Sequence, residues 1–184
     1  MNFIPKKKHL DGVPAHLLSV PGILQDMVTG YNSSAIKPQP QFSVQCALAF
    51  GSVLMGRRWV TDKRNFSSLY FLNIGETGSG KEHTKTVLEQ YLEQAGLEKL
   101  IGPAGYTSGA GVMSTLIKKP VHVSVVDELG RKLKAAAAKG MQHKADALTS
   151  IMECFGRQDG RLRSSGYSTM TLKASEAEKL EKVA

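Results

Sequence analysis

An apolar run, a glycine-rich loop and a helix-patterned stretch follow one another without a break from Leu69 to Ala95. The run is Leu69-Tyr70-Phe71-Leu72-Asn73-Ile74. The loop is Gly75-Glu76-Thr77-Gly78-Ser79-Gly80, closed by Lys81. Beyond it Val87, Leu88, Tyr91, Leu92 and Ala95 recur at helical spacing. Strand, glycine loop, helix is the order that a phosphate-binding P-loop needs. Glycines let successive backbone N–H groups curl around phosphate oxygens, and a helix N-terminus adds a field that favours anions. Lys81 would bring a point charge to the β- and γ-phosphates of a nucleotide. The competing reading is a glycine-rich turn beside an unrelated lysine.

The pattern G-x-x-x-x-G-K-[ST] is met at Gly75, Gly80 and Lys81, but Glu82 stands where a hydroxyl would reach Mg²⁺. A carboxylate can also ligate Mg²⁺, at the cost of negative charge close to a polyphosphate. Thr84, the nearest hydroxyl downstream, falls on a different helix face. The candidate nucleotide-binding residues are Gly75, Glu76, Thr77, Gly78, Ser79, Gly80, Lys81, Glu82 and His83. For His83 a plain surface histidine competes with a ligand contact.

A second motif follows one helix, one strand and another helix after Lys81. Val121-His122-Val123-Ser124-Val125-Val126 is β-branched and ends in Asp127-Glu128. Carboxyl ends of parallel strands are where open α/β sheets bind ligands. Asp127 is thus the candidate metal residue, with Glu82 beside it, and Glu128 the candidate for polarising water. The pair has the Walker B pattern, although strands often end in acids. The catalytic candidates are Lys81 and Glu128, and the implied cofactors are ATP and Mg²⁺. No guanine-reading N-K-x-D motif is visible.

The remaining chain organises around these motifs. Pro5, Pro14, Pro21, Pro38 and Pro40 make residues 1–40 a proline-rich arm with one short amphipathic helix over Gly22 to Val28. Residues 41–64 read as a helix from Phe42 to Met55, stopped by Gly56, and a basic strand beginning at Arg57. Residues 65–184 form the expected nucleotide-binding core. In it Gly96 caps the loop helix, and a strand is expected between Leu97 and Tyr106. Thr107 or Ser108 caps a helix reaching about Lys118, and helix resumes from Leu129 to Phe155 with a break at Gly140. A further strand is expected over Tyr167 to Leu172. The expected fold class is α/β: a mainly parallel sheet flanked by helices, incomplete at its C-terminal end and preceded by a helical extension.

Net charge is +8 over 184 residues, which suits an anionic partner such as nucleic acid or nucleotide. Arg57, Arg58, Lys63 and Arg64 cluster with Trp59 and Phe66 interleaved, a composition for phosphate contact and base stacking or for a solvated edge. The two cysteines, Cys46 and Cys154, sit among apolar residues and fit free thiols in a reducing cytoplasm. No apolar run approaches the roughly 18–20 residues of a membrane span, and Lys6-Lys7-Lys8 is not followed by a signal-peptide core. The dispersed histidines and cysteines have no zinc spacing, and no G-x-S-x-G elbow is present.

Several stretches together resemble a family: Lys37-Pro38-Gln39-Pro40 before an apolar helix, Gly56-Arg57-Arg58, Gly78-Ser79-Gly80-Lys81-Glu82-His83, Thr107-Ser108-Gly109-Ala110-Gly111 and Asp127-Glu128-Leu129-Gly130-Arg131. Over about residues 20 to 170 the chain resembles phage and mobile-element ATPases related to primase-helicases (the DUF3987 group), of the RecA-like and AAA+ additional-strand class. In that group an acidic residue after the loop lysine is familiar. The resemblance implies an ATP-dependent motor or switch acting on DNA, single-stranded DNA as partner, and assembly into a homo-oligomeric ring or filament. It also implies later strands, a sensor residue and an arginine finger, for which Arg131, Arg157, Arg161 and Arg163 are the candidates. Two other readings stay open: a nucleotide-binding regulator or DNA-binding adaptor with little hydrolysis, and a small-molecule kinase.

Overall fold

The computed structural model describes residues 13–138 and 140–155, and there the secondary structure is helical. Six α-helices follow one another: α1 Ile23–Ser34, α2 Pro40–Met55, α3 His83–Gln94, α4 Gly109–Lys118, α5 Leu129–Ala136 and α6 Gln142–Phe155. Short 3-10 turns occupy Ala15–Leu18 and Glu98–Leu100.

The helix ends follow from local chemistry. Pro40 opens α2 at a position whose N–H needs no helical partner. At its end Gly56 is the cap, but the left-handed residue is Arg57 (φ +58°), and Trp59 N–H reaches back to Met55 O at 3.2 Å. Gly56 is required for a different reason: a Cβ there would lie 2.5 Å from Val121 Cγ1. Ser108 caps α4 by accepting the Gly111 N–H at 3.1 Å. Gly96, at φ +68°, ends α3, and the Leu97 N–H returns to Leu92 O at 2.8 Å. Gly140 (φ +81°) separates α5 from α6, as its place in the sequence implies.

α1 packs on α2, and α2 on α3. Their shared core holds Tyr31, Phe42, Cys46, Val53, Val87, Leu88 and Leu92, so the apolar spacing after Lys81 does mark a buried helix face. α1 is longer than the short helix expected and runs on through Asn32, Ser33 and Ser34. A second packing unit joins α4 and α5 to α6, with Val112 and Ala147 buried. On α6 Leu148 and Ile151 are half-buried while Met152 is exposed.

The parallel sheet is the expectation that the structure overturns. Among the described residues there is no strand, only two isolated bridges: antiparallel between Val60 and Phe66, and parallel between Ile101 and Val123. The second is held by Gly102 N–H to Val123 O (2.8 Å) and Val123 N–H to Leu100 O (2.9 Å). Pro103 has no N–H with which to continue that ladder. The valines at 121, 123 and 125 instead lean, half-buried, directly against the helical core. Among the described residues Leu69 to Ile74 has no backbone partner, and Leu72 and Ile74 are 61% and 80% exposed. Its Tyr70 is tied sideways to α6, donating to Ile151 O at 2.5 Å and lying 5.2 Å from the Phe155 ring. A parallel sheet needs both faces covered and continuous ladders, and neither condition is met here. The strand expected over Tyr167 to Leu172 lies outside the described residues.

Candidate nucleotide-binding loop

The loop from Gly75 to Glu82 runs straight into the first turn of α3. It is a series of tight turns closed by Ser79 N–H to Glu76 O (3.1 Å) and His83 N–H to Gly80 O (3.1 Å). Gly78 and Gly80 adopt φ +73° and +87°, conformations that cost a residue with a Cβ. Gly75 is needed for space: a Cβ there would stand 2.5 Å from Ser79 Oγ and 3.5 Å from the Phe42 ring. The turns leave donors free. Among the described residues the backbone N–H groups of Gly78, Gly80, Lys81 and Glu82 donate to no protein acceptor. Among the same residues Ser79 Oγ is buried without a partner. Free, successive amides beside a helix N-terminus form an anion-binding concavity.

Two lysine side chains border this loop. Lys81 Nζ donates to Glu76 O at 3.4 Å and lies 3.6 Å from the Glu82 carboxylate. Lys37 Nζ, from the segment before α2, donates to Gly78 O at 2.9 Å, and its carbonyl packs against Gly80. Lys37 was not among the candidates drawn from sequence. Its only sequence signal was its place in Lys37-Pro38-Gln39-Pro40, and the distance to Lys81 along the chain hid the contact. His83 turns away from the loop: its Nε2 is 3.0 Å from Ser34 Oγ and its ring meets Tyr31 edge-on at 4.8 Å.

The base of the loop is fixed from below. Thr84 is buried, and its hydroxyl is 2.9 Å from Tyr31 OH, which makes it a structural group of the α1–α3 interface. Burial pushes the Tyr31 phenol above its ordinary pKa, the Thr84 hydrogen bond opposing this in part.

Asp127 and Glu128 are bonded locally. Asp127 Oδ1 accepts the Glu128 N–H at 2.7 Å, and Glu128 takes a left-handed conformation (φ +51°) before α5. The Glu128 carboxylate pairs with Arg131 at 2.7 Å on the surface. Among the described residues no hydrogen bond or ion pair joins Asp127 or Glu128 to the loop. No group of three or more His, Cys, Asp or Glu side chains converges on a metal position there either.

Compared with family models, with curated proteins and with solved structures, the chain finds no match. Among the described residues no helix is long and apolar enough to cross a membrane.

Proposed function

We propose that this chain binds ATP on the loop Gly75 to Glu82 and acts on DNA as an ATPase. The observation that carries the reading is the run of unpartnered amides at Gly78, Gly80, Lys81 and Glu82 at the head of α3, with Lys81 and Lys37 beside them. Anionic phosphate is the ligand class that satisfies free N–H groups and two ammonium groups together. Cβ atoms added at positions 75 and 80 would crowd Ser79 and the Lys37 carbonyl, so the loop favours glycine at both. Bound ATP would supply the transferable phosphoryl group, and Mg²⁺ would neutralise phosphate charge. Lys81 stabilises charge developing on the phosphates, Glu82 and Asp127 supply carboxylate ligands, and Glu128 orients water. The resemblance to primase-helicase-related ATPases is the support for assigning this chemistry to phage or mobile-element replication, in a cytoplasmic homo-oligomer on single-stranded DNA. The net charge of +8 supports an anionic polymer as partner.

A second reading is a nucleotide-binding regulator or DNA-binding adaptor with little turnover. It is favoured by Glu128 being committed to Arg131 and by Asp127 being committed to a turn, neither bonded to the loop. Phosphate release from ATP with Mg²⁺, with and without single-stranded DNA, separates the two when Lys81→Ala and Glu128→Gln are run beside the wild type. The ATPase reading expects DNA-stimulated turnover lost in both variants. ATP binding without turnover in any of the three supports the regulator. ATP affinity unchanged by Lys81→Ala, where about tenfold weakening is expected from loss of a charged hydrogen-bonding group, sinks both.

A further inference from the structure

The turn that follows α2 carries features that the nucleotide loop does not use. Val60 and Phe66 form an antiparallel bridge, and within it Thr61 N–H bonds Asn65 O at 3.0 Å and Arg64 N–H bonds Thr61 O at 2.8 Å. Thr61 Oγ1 accepts the Asn65 N–H, and Asp62 Oδ1 accepts the Lys63 N–H, both at 3.0 Å. The result is a small, internally bonded hairpin rather than a loose loop. Its anchor is the end of α2, where Arg58 and Trp59 N–H groups both return to Met55 O.

Trp59 stands on this hairpin 70% exposed. A large aromatic in that position gives up the burial that the core would reward. Arg57, Arg58, Lys63 and Arg64 surround it in sequence, all exposed. Among the described residues none of the four is in an ion pair. Arg57 and Arg64 both hold φ +58°, left-handed positions at which glycine or asparagine is the easier residue. A small cavity alongside is lined by Gly56, Arg58, Leu97, Lys99, Leu100 and Val121, which brings Lys99 into the same basic surface.

We propose that the hairpin Arg57 to Phe66 binds single-stranded nucleic acid, with Trp59 stacking on a base and Arg57, Arg58, Lys63 and Arg64 contacting phosphates. An exposed ring set among unpaired cations is the combination that binds single strands without sequence preference. A duplex would keep its bases stacked on each other and leave the ring without a face to meet. An anionic membrane surface would use the same cations, but it rewards a broad apolar face, and the hairpin offers Trp59 and Val60 alone. The inference rests on the DNA reading above and names its contact residues. It does not depend on nucleotide, so the two can fail separately.

Trp59 is the single tryptophan of the chain, and its fluorescence therefore reports on this hairpin without labelling. The test is titration of the full chain, without ATP, with an oligothymidylate, with the matching duplex and with anionic phospholipid vesicles. The expected result is saturable quenching by the single strand, weaker with duplex, and lost as salt rises from about 50 to 200 mM. By fluorescence anisotropy of a labelled oligonucleotide, Trp59→Ala should weaken binding about tenfold. Arg58→Gln and Lys63→Gln should each flatten the dependence of log affinity on log salt by about 0.7. Circular dichroism of each variant should match the wild type, since the replaced side chains are exposed. Oligonucleotide binding that leaves Trp59 emission unchanged, or that Trp59→Ala leaves intact, overturns the proposal. So does a response to vesicles with none to single strands. Quenching by the single strand in a wild-type chain that binds no ATP would keep this inference while removing the nucleotide reading.

Discussion

The hydroxyls of Tyr31 and Thr84 meet at 2.9 Å in a buried contact between α1 and the first turn of α3. Thr84 lies three residues beyond Lys81, so this contact sets how α3 presents the glycine loop. Cys46 Sγ lies 3.9 Å from Thr84 O and closes the same junction from α2. Three helices thus converge immediately under the candidate phosphate site.

Tyr31→Phe should therefore destabilise the chain by about 1–3 kcal/mol, because it leaves the Thr84 hydroxyl buried without a partner. Thr84→Val should cost a similar amount by orphaning the tyrosine. The double variant should be closer to wild type than the sum of the two, because removing both partners leaves nothing unsatisfied. Urea unfolding of the four proteins measures this directly. Additive losses would mean that the two hydroxyls do not depend on one another.

Two glycines provide a contrast in sign. Gly80 has φ +87°, and a Cβ there would meet Lys37 O at 3.1 Å. Gly80→Ala should cost about 1–2 kcal/mol from the left-handed backbone alone and should weaken ATP binding. Gly130, inside α5, has nothing within 4 Å of an added Cβ. Gly130→Ala should stabilise by about 0.5–1 kcal/mol through helix propensity. Thermal and urea denaturation of both variants, with ATP titration of Gly80→Ala, checks the pair.

What the sequence made legible was local. Helical spacing placed Val87, Leu88 and Leu92 in the core, and Ser108, Gly96 and Gly140 punctuated the chain where cap and turn chemistry put them. The β-branched run at Val121 to Val126 misled, because the same residues serve a strand or an extended segment leaning on helices, and periodicity does not tell these apart. Pro103 was the signal against a long ladder beside it. Lys37 at Gly78 was invisible because side-chain reach between distant segments leaves no trace in spacing. The neighbourhood of Asp127 and Lys81 was inferred from sheet topology, and among the described residues no hydrogen bond or ion pair links the two.

The two thiols should separate chemically. Cys46 is buried, and burial pushes its thiol up to about 12. Thiolate is the reactive form, so native Cys46 should resist iodoacetamide at mildly alkaline pH. Cys154 is half-buried on α6, its thiol donating to Ser150 O at 3.0 Å, and is raised by burial without being sealed off. Mass spectrometry of timed alkylation should find Cys154 labelled first and Cys46 labelled at the rate of global unfolding. Equal rates under native conditions would contradict the packing around Cys46.

His122 should make stability depend on pH in a defined direction. Its Nδ1–H donates to Lys119 O at 2.6 Å, and Nε2 lies 2.6 Å from Tyr106 OH, which is also 3.1 Å from Ser124 Oγ. In this arrangement the neutral ring accepts from the tyrosine, while a protonated ring would need that hydroxyl to turn. Burial lowers the His122 pKa below 6.5, the Lys119 carbonyl opposes this, and the Lys119 charge adds to it. A pKa depressed by folding means that the unfolded chain takes up the proton first. The contribution is then complete above pH 6.5 and is lost as pH falls below it toward the folded value. Urea midpoints measured from pH 7.5 downward should fall more steeply for the wild type than for His122→Gln, which keeps an acceptor for Tyr106 without titrating. Parallel curves would show that His122 binds its proton equally in the folded and unfolded chains.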